Sequence, residues 1–174
     1  MTAMIIIDFE ASSLRKTSHP IEVAWGDSQE NIQSFLLNPD YMEGWTDWNP
    51  KSYAYHNITQ EELRRLGVDP RQVARKMVRE LADKAVYSDE PHYDIRWKNR
   101  LLADSGYDPS LVRISDLKHY LRQLLRDGAT DKTFNDFICT FECSQGNRHR
   151  AAGDVYWLLE FVAHIRKSTG EAAP

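Results

Sequence analysis

Met4-Ile5-Ile6-Ile7-Asp8-Phe9-Glu10-Ala11-Ser12-Ser13-Leu14 is the stretch on which the fold turns. Three successive isoleucines are β-branched and apolar, which predicts a strand. Side chains alternate along a strand, so Ile6, Asp8 and Glu10 share one face while Ile5, Ile7 and Phe9 share the other. The two carboxylates then project side by side, roughly 6–7 Å apart at their Cα atoms from the strand rise. At the end of a central strand such a pair is costly unless it is protonated or held by a cation. Hard oxygen donors of this kind suit magnesium or manganese. A strand that runs out into a solvated acidic turn is the plain alternative, and this stretch alone does not separate the two.

Working outward, residues 20–26 alternate Ile21, Val23 and Trp25 against Glu22 and Ala24, a half-buried strand, and residues 31–37 alternate again. Three strands with short links predict an antiparallel meander. Residues 40–57 form a Trp- and Tyr-rich connection whose rings either cover an edge of the core or stack on unpaired bases. Thr59-Gln60-Glu61-Glu62 has the form of a capping box, opening a short helix that Gly67 closes. Asp69-Pro70 starts a second helix, with Val73, Met77, Val78 and Leu81 on its apolar stripe.

Residues 84–88 and 111–114 read as short strands and 95–102 as a helix. Ser115 or Asp116 caps a further helix, which Asp127-Gly128 ends. Phe134, Phe137, Ile138 and Phe141 are spaced as on a helix, and residues 150–167 form a strongly amphipathic one. The expected class is α/β: a mixed sheet, part antiparallel meander and part parallel, flanked by helices.

With 174 residues, 41% of them hydrophobic and 28% charged, the chain is long enough for one domain with a real core. Residues 1–3 and 168–174 are expected to be frayed ends. A net charge of −4 argues against a large non-specific nucleic-acid binder. It does not exclude a nuclease, because carboxylates that bind cations lower the formal charge while the ions restore positive potential locally. Cys139 and Cys143 supply neither a disulfide framework nor a zinc ligand set. No signal-peptide pattern or membrane-length apolar run occurs, so a soluble cytoplasmic protein with reduced thiols is expected.

Further acids arrive later in the chain. From Asp154 the apolar residues Leu158, Phe161, Val162 and Ile165 follow at offsets of 4, 7, 8 and 11, so the acid extends a core-facing stripe. A carboxylate in a first helical turn also gains from the helix dipole, which is the benign explanation. His149, about 140° round the axis from Asp154, belongs in the loop entering the helix. Asp89 and Asp94 flank Glu90-Pro91-His92-Tyr93 beyond the strand ending at Ser88, where sheets of this layout tend to place ligands. An ordinary turn with Asp89 as helix cap and Pro91 in the first turn is the other reading.

Together these pieces resemble the DEDDh (DnaQ-like) 3′→5′ exonuclease superfamily, whose fold is RNase H-like. The first motif of that family, an apolar strand ending Asp-x-Glu, matches Ile5-Ile6-Ile7-Asp8-Phe9-Glu10, although Ser12-Ser13-Leu14 replaces the usual Thr-Gly-Leu. Tyr93-Asp94 is similar to the second motif, with Ser88-Asp89-Glu90 where an Asn is usual, so Asp89 competes with Asp94. His149-Arg150-Ala151-Ala152-Gly153-Asp154 matches the third, and His56-Asn57-Ile58-Thr59 is similar to a weaker family segment.

The resemblance implies a single exonuclease domain over residues 1–174. Asp8, Glu10, Asp94 and Asp154 would bind two Mg²⁺ or Mn²⁺ ions, with Glu10 bridging to the nucleophilic water and His149 as general base. It further implies that Leu14, His56 and Ile58 contact the terminal nucleotide. The expected substrate is the 3′ end of single-stranded nucleic acid, RNA in the first instance, though no motif reports contacts to a 2′-OH. A homodimer is compatible with this reading, because a second chain would help a small nuclease hold its substrate. Two rivals stand beside it: a phosphodiesterase for very short oligonucleotides or nucleotide cofactors, and a non-catalytic nucleic-acid-binding module on the same fold.

Overall fold

The computed structural model describes residues 4–29, 31–125 and 150–169. Five strands form one sheet in the order β3-β2-β1-β4-β5. β1 (Ile5–Ala11), β2 (Pro20–Asp27) and β3 (Gln33–Leu36) are the antiparallel meander expected from their alternation. β4 (Val86–Ser88) pairs parallel with β1, and β5 (Ile114–Asp116) pairs parallel with β4. The opening stretch is therefore the central strand. Six helices are described: α1 (Tyr53–His56), α2 (Gln60–Leu66), α3 (Pro70–Leu81), α4 (Pro91–Asp104), α5 (Leu117–Leu124) and α6 (Ala151–Thr169).

The two faces of β1 build two cores. Ile7, Phe9 and Ala11 pack with Val73, Met77 and Leu81 of α3 and with Trp97, Leu101 and Leu102 of α4. Ile6 packs on the other side with Leu117 and Leu121 of α5 and with Val155, Leu158, Phe161, Val162 and Ile165 of α6. Each such fully buried side chain contributes about 1.5–3 kcal/mol by leaving water, so β1's alternation is strongly specified. A one-residue slip would turn Asp8 and Glu10 into the α3–α4 core.

Local signals behave as the residues dictate at most helix ends. Thr59 Oγ1 accepts from Glu62 N–H at 3.0 Å, Asp69 Oδ1 from Arg71 N–H at 2.9 Å, and Asp116 rather than Ser115 caps α5 by accepting from His119 N–H at 3.0 Å. Other boundaries differ from the expected ones. β3 is shorter: Asn31 turns back to hydrogen-bond Asp27, and Leu37, whose N–H still donates to Ile21 O at 2.9 Å, bridges to Val68. The fifth strand lies later than 111–114, since Asp108 caps a 3₁₀ turn at Pro109–Leu111 through Ser110 N–H. α4 begins four residues early, with Glu90 rather than Asp89 at its N-cap. Ser168 and Thr169 lie in the last turn of α6, each hydroxyl donating to a carbonyl three residues back. The helical spacing from Phe134 to Phe141, both cysteines, the Asp127-Gly128 stop and His149 lie outside the described residues.

Part of the aromatic connection is tied down, while Tyr41, Tyr53 and Tyr55 stay exposed. Trp45 is buried, its ring stacks on His19 at 4.9 Å and its Nε1–H donates to Asp104 at 2.7 Å. Ser12 and Ser13 after β1 donate to Asp47 from the same connection, and Asn49 N–H donates to Ser12 O at 2.9 Å. The loop that carries Leu14 is thereby fixed against residues 45–49. No helix among the described residues is long and apolar enough to cross a membrane.

A candidate metal centre at the end of the central strand

Across the β1–β2 pairing Asp8 stands opposite Ala24 and Glu10 opposite Glu22, and the register shifts between Glu10 and Ala11. A bulge at this place re-aims the last side chains of the strand. α6 crosses the same face and presents Asp154 from its first turn. One carboxylate oxygen from each of Asp8, Glu10 and Asp154 lies within 4.8 Å of the others. The chain folds this way because the Ile6 face must meet the α6 stripe, and both runs end in acids.

Negative charges crowded out of water resist ionisation. Burial, followed by repulsion from Asp94, Glu10, Asp154 and Asp89, pushes the Asp8 carboxyl well above its ordinary range. Burial, then Asp154 and Glu22, pushes Glu10 up to about 8, with Arg150 opposing. The Oδ2 of Asp8 is buried and meets no hydrogen-bond partner among the described residues. An orphaned carboxylate oxygen inside a set of oxygen-only donors suits a hard divalent cation. The acidic triad thus points to divalent metal use.

Asp94 and Asp89 are distinguished by their surroundings. Asp94, in the first turn of α4, is 2% exposed, and Ser88 Oγ at the end of β4 donates to its Oδ2. Burial and then the charges of Asp89, Glu10 and Glu90 raise its pKa well, against the Ser88 bond. Asp94 is also the leading charge acting on Asp8, whereas Asp89 is the weakest of the four carboxylates that raise it. Burial raises the Asp89 pKa, and the charge of Lys118 opposes that push.

Beside Glu10 opens a cavity of about 660 Å³, lined among others by Ser13, Leu14, Lys51, Tyr55, His56 and Trp97. Leu14 is 64% exposed at its rim. His56 is buried, and its Nδ1 accepts Ile58 N–H at 3.0 Å, so the neutral ring carries its proton on Nε2. That Nε2 has no partner among the described residues. Burial, with Arg150 adding to it and Glu22 opposing, lowers the His56 pKa to about 4. Ile58 does not line the cavity. It is fully buried in a small cluster with Ile21 and Leu63, behind the cavity wall.

The structure thus brings together Asp8, Glu10 and Asp154, sets Asp94 against Asp8, and puts Leu14 and His56 on one adjoining cavity. Two contributors were not legible as such. Ser88 reads as a strand end, and Glu22 falls in the polar phase of a half-buried strand, where solvent is the natural expectation. Only its position facing Glu10 across the predicted meander could have drawn attention to it.

No family model matches the chain, and no curated protein matches it in sequence. Solved structures do. E. coli exonuclease I in complex with a dT13 oligonucleotide superposes with a TM-score of 0.72 at 15% identity, covering 95% of this chain and 41% of that one. The zinc-bound form of the E. coli exonuclease I–single-stranded DNA complex gives 0.68 at 19% identity, covering 97% and 41%. A dA16 complex of the same enzyme gives 0.70 at 18%, again covering 97% and 41%. The chain therefore spans about two-fifths of the length of these structures and has their fold, a mixed RNase H-like sheet flanked by helices.

Proposed function

We propose that the chain is a metal-dependent 3′→5′ exonuclease of the DnaQ-like type, acting on single-stranded nucleic acid. The observation that carries this reading is the convergence of Asp8, Glu10 and Asp154 within 4.8 Å at the end of the central strand. Acids crowded this closely resist ionisation unless a cation binds them, and function is a common reason for such an arrangement. Likeness of fold to an exonuclease bound to oligonucleotides supports the same reading.

Asp8, Glu10, Asp94 and Asp154 would hold the divalent ions, magnesium or manganese, two per site. When bound, such ions stabilise the charge that builds on a phosphate under attack and on the departing 3′ oxygen. Asp94, fixed by Ser88, is the fourth carboxylate in this proposal rather than Asp89. Glu10 would orient the attacking water from the cavity side. His149 would accept that water's proton on a ring nitrogen, for which a reference pKa near 6.5 is suited. Leu14 and His56 would meet the terminal nucleotide, His56 donating from Nε2 to one of its oxygens, while Ile58 holds the His56 ring from behind.

A panel of single-stranded RNA, single-stranded DNA, duplex and dinucleotide, each labelled at the 5′ end, tests this directly. A ladder shortening from the 3′ end in Mn²⁺ or Mg²⁺ is expected with single strands. Cleavage of the dinucleotide alone would favour the short-substrate phosphodiesterase. No cleavage with saturable Mn²⁺ binding would leave a binding module.

A further inference from the structure

We propose that Glu22 is a positioning residue of this site: acting through Arg150, it fixes the first turn of α6, and with it Asp154, against the acids of β1. The inference rests on the functional reading above. Glu22 lies directly across from Glu10 in the β1–β2 pairing and is 3% exposed. Two carboxylates facing each other across a strand pair repel, and a buried one without donors is costlier still. Glu22 is instead fully engaged. It accepts from Arg150 Nε at 3.1 Å and Nη2 at 2.9 Å, from Ala151 N–H at 3.0 Å, and from Ser34 Oγ at 3.2 Å.

The chain of contacts ends on the site. The carbonyl of Arg150 accepts Asp154 N–H at 3.0 Å, so one residue is gripped by its side chain and bears Asp154 through its backbone. A two-pronged guanidinium–carboxylate pair fixes orientation as well as distance. The same carboxylate caps the helix, which favours negative charge at that end. Arg150 Nη1 lies 3.8 Å from Glu62 of α2 as well, so the cation is shared with a third element outside the sheet. His149, the proposed base, directly precedes Arg150 in the sequence. Replacing a buried ion pair as a whole often leaves stability little changed. What this pair holds is the geometry of the acid one turn away.

The test is a double-mutant cycle of Glu22→Gln, Arg150→Gln and both together, in the full chain. Three readouts are taken: kcat and KM on a 3′-labelled single strand, the Mn²⁺ binding midpoint of metal-free protein, and amide exchange at residues 151–154. Each single variant should lower kcat about 10–100-fold with KM within about threefold, and weaken Mn²⁺ binding several-fold. The double variant should be no worse than the poorer single one, because both act through one contact. Unchanged kcat and Mn²⁺ midpoint in a folded Glu22→Gln, or additive losses in the double variant, would overturn the proposal. Should Glu22→Gln fail to fold, Glu22→Asp, which keeps the charge but draws it back by one methylene, takes its place with the same expected losses. If the wild type neither cleaves nor binds Mn²⁺, the functional reading fails. The clamp is then judged on amide exchange alone: faster exchange at 151–154 supports it, and unchanged exchange contradicts it.

Discussion

Glu10 and Asp154, from opposite ends of the chain, meet with carboxylate oxygens no more than 4.8 Å apart, and burial, then Asp154 as the leading charge, drives Glu10 up to about 8. A carboxyl whose folded pKa exceeds its unfolded value stabilises the fold while it is protonated and loses that contribution as pH rises through the folded pKa. Between pH 7 and 9 the lowered histidines, His19 and His56, are neutral in both states, so the acids dominate. Metal-free protein should therefore lose on the order of 1 kcal/mol over that interval from Glu10 alone, a fall of a few degrees in Tm. Mn²⁺ should raise Tm more at pH 9 than at pH 7. Melting curves with chelator and with Mn²⁺ at the two pH values check both statements.

Asp8→Asn should separate stability from activity. It removes a carboxyl whose ionisation the cluster opposes, so metal-free protein should melt higher than the wild type at alkaline pH. Cleavage should fall by more than the roughly 10–100-fold that loss of a supporting group costs. Thermal melting and initial rates on the same preparation are the measurements.

Asp94→Asn and Asp89→Asn should behave differently. Asp94 is buried, held by Ser88 and felt most strongly by Asp8, so its variant should lose most of the Mn²⁺ affinity and turnover. Asp89→Asn should retain both within about threefold, and Ser88→Ala should fall between them, about 10–100-fold down. Calorimetric titration with Mn²⁺ ranks the three.

In the proposed mechanism His56 and His149 have roles that pH should separate. His56 is pushed down to about 4 by burial, so it stays neutral above about pH 5 and contributes no break near neutrality. If His149 accepts the proton, kcat should fall on the acid side as its imidazole becomes protonated. His149→Ala should abolish that limb with little loss of Mn²⁺ binding, whereas His56→Gln should keep the limb and raise KM. A pH–rate profile for each variant decides it.

Leu14 and Ile58 test the division between cavity and core. Leu14 is mostly exposed and Ile58 fully buried. Leu14→Ala should raise KM with Tm unchanged, while Ile58→Ala should cost about 2–5 kcal/mol of stability. Denaturant unfolding with steady-state kinetics on both variants reads the contrast.

Much of this was legible from periodicity. The alternation of Ile5 to Glu10 fixed which face of β1 bears acids, and the stripe from Asp154 to Ile165 fixed which helix face meets it. Those patterns work because one-sided burial leaves no freedom of register. Boundaries were less legible where side chains compete with the ladder, as Asn31 does through Asp27 and Asp108 through Ser110. Asp89 and Asp94 could not be ranked in advance, since the ranking depends on Ser88 and Lys118, whose approach is tertiary. Glu22 was hidden for the same reason: its partner lies on α6, at the far end of the chain. Ile58, read as a substrate contact, is fully buried with Ile21 and Leu63, while its neighbour His56 lines the cavity.

The central claim, that the acids at the end of β1 cleave from the 3′ end with a divalent metal, is tested most directly by 3′-labelled single strands offered to wild type and Asp8→Ala in parallel. Wild type with Mn²⁺ or Mg²⁺ should release the labelled mononucleotide first, chelator should stop it, and folded Asp8→Ala should release none. Release that survives in Asp8→Ala, or labelled products longer than a mononucleotide from the outset, would contradict the account.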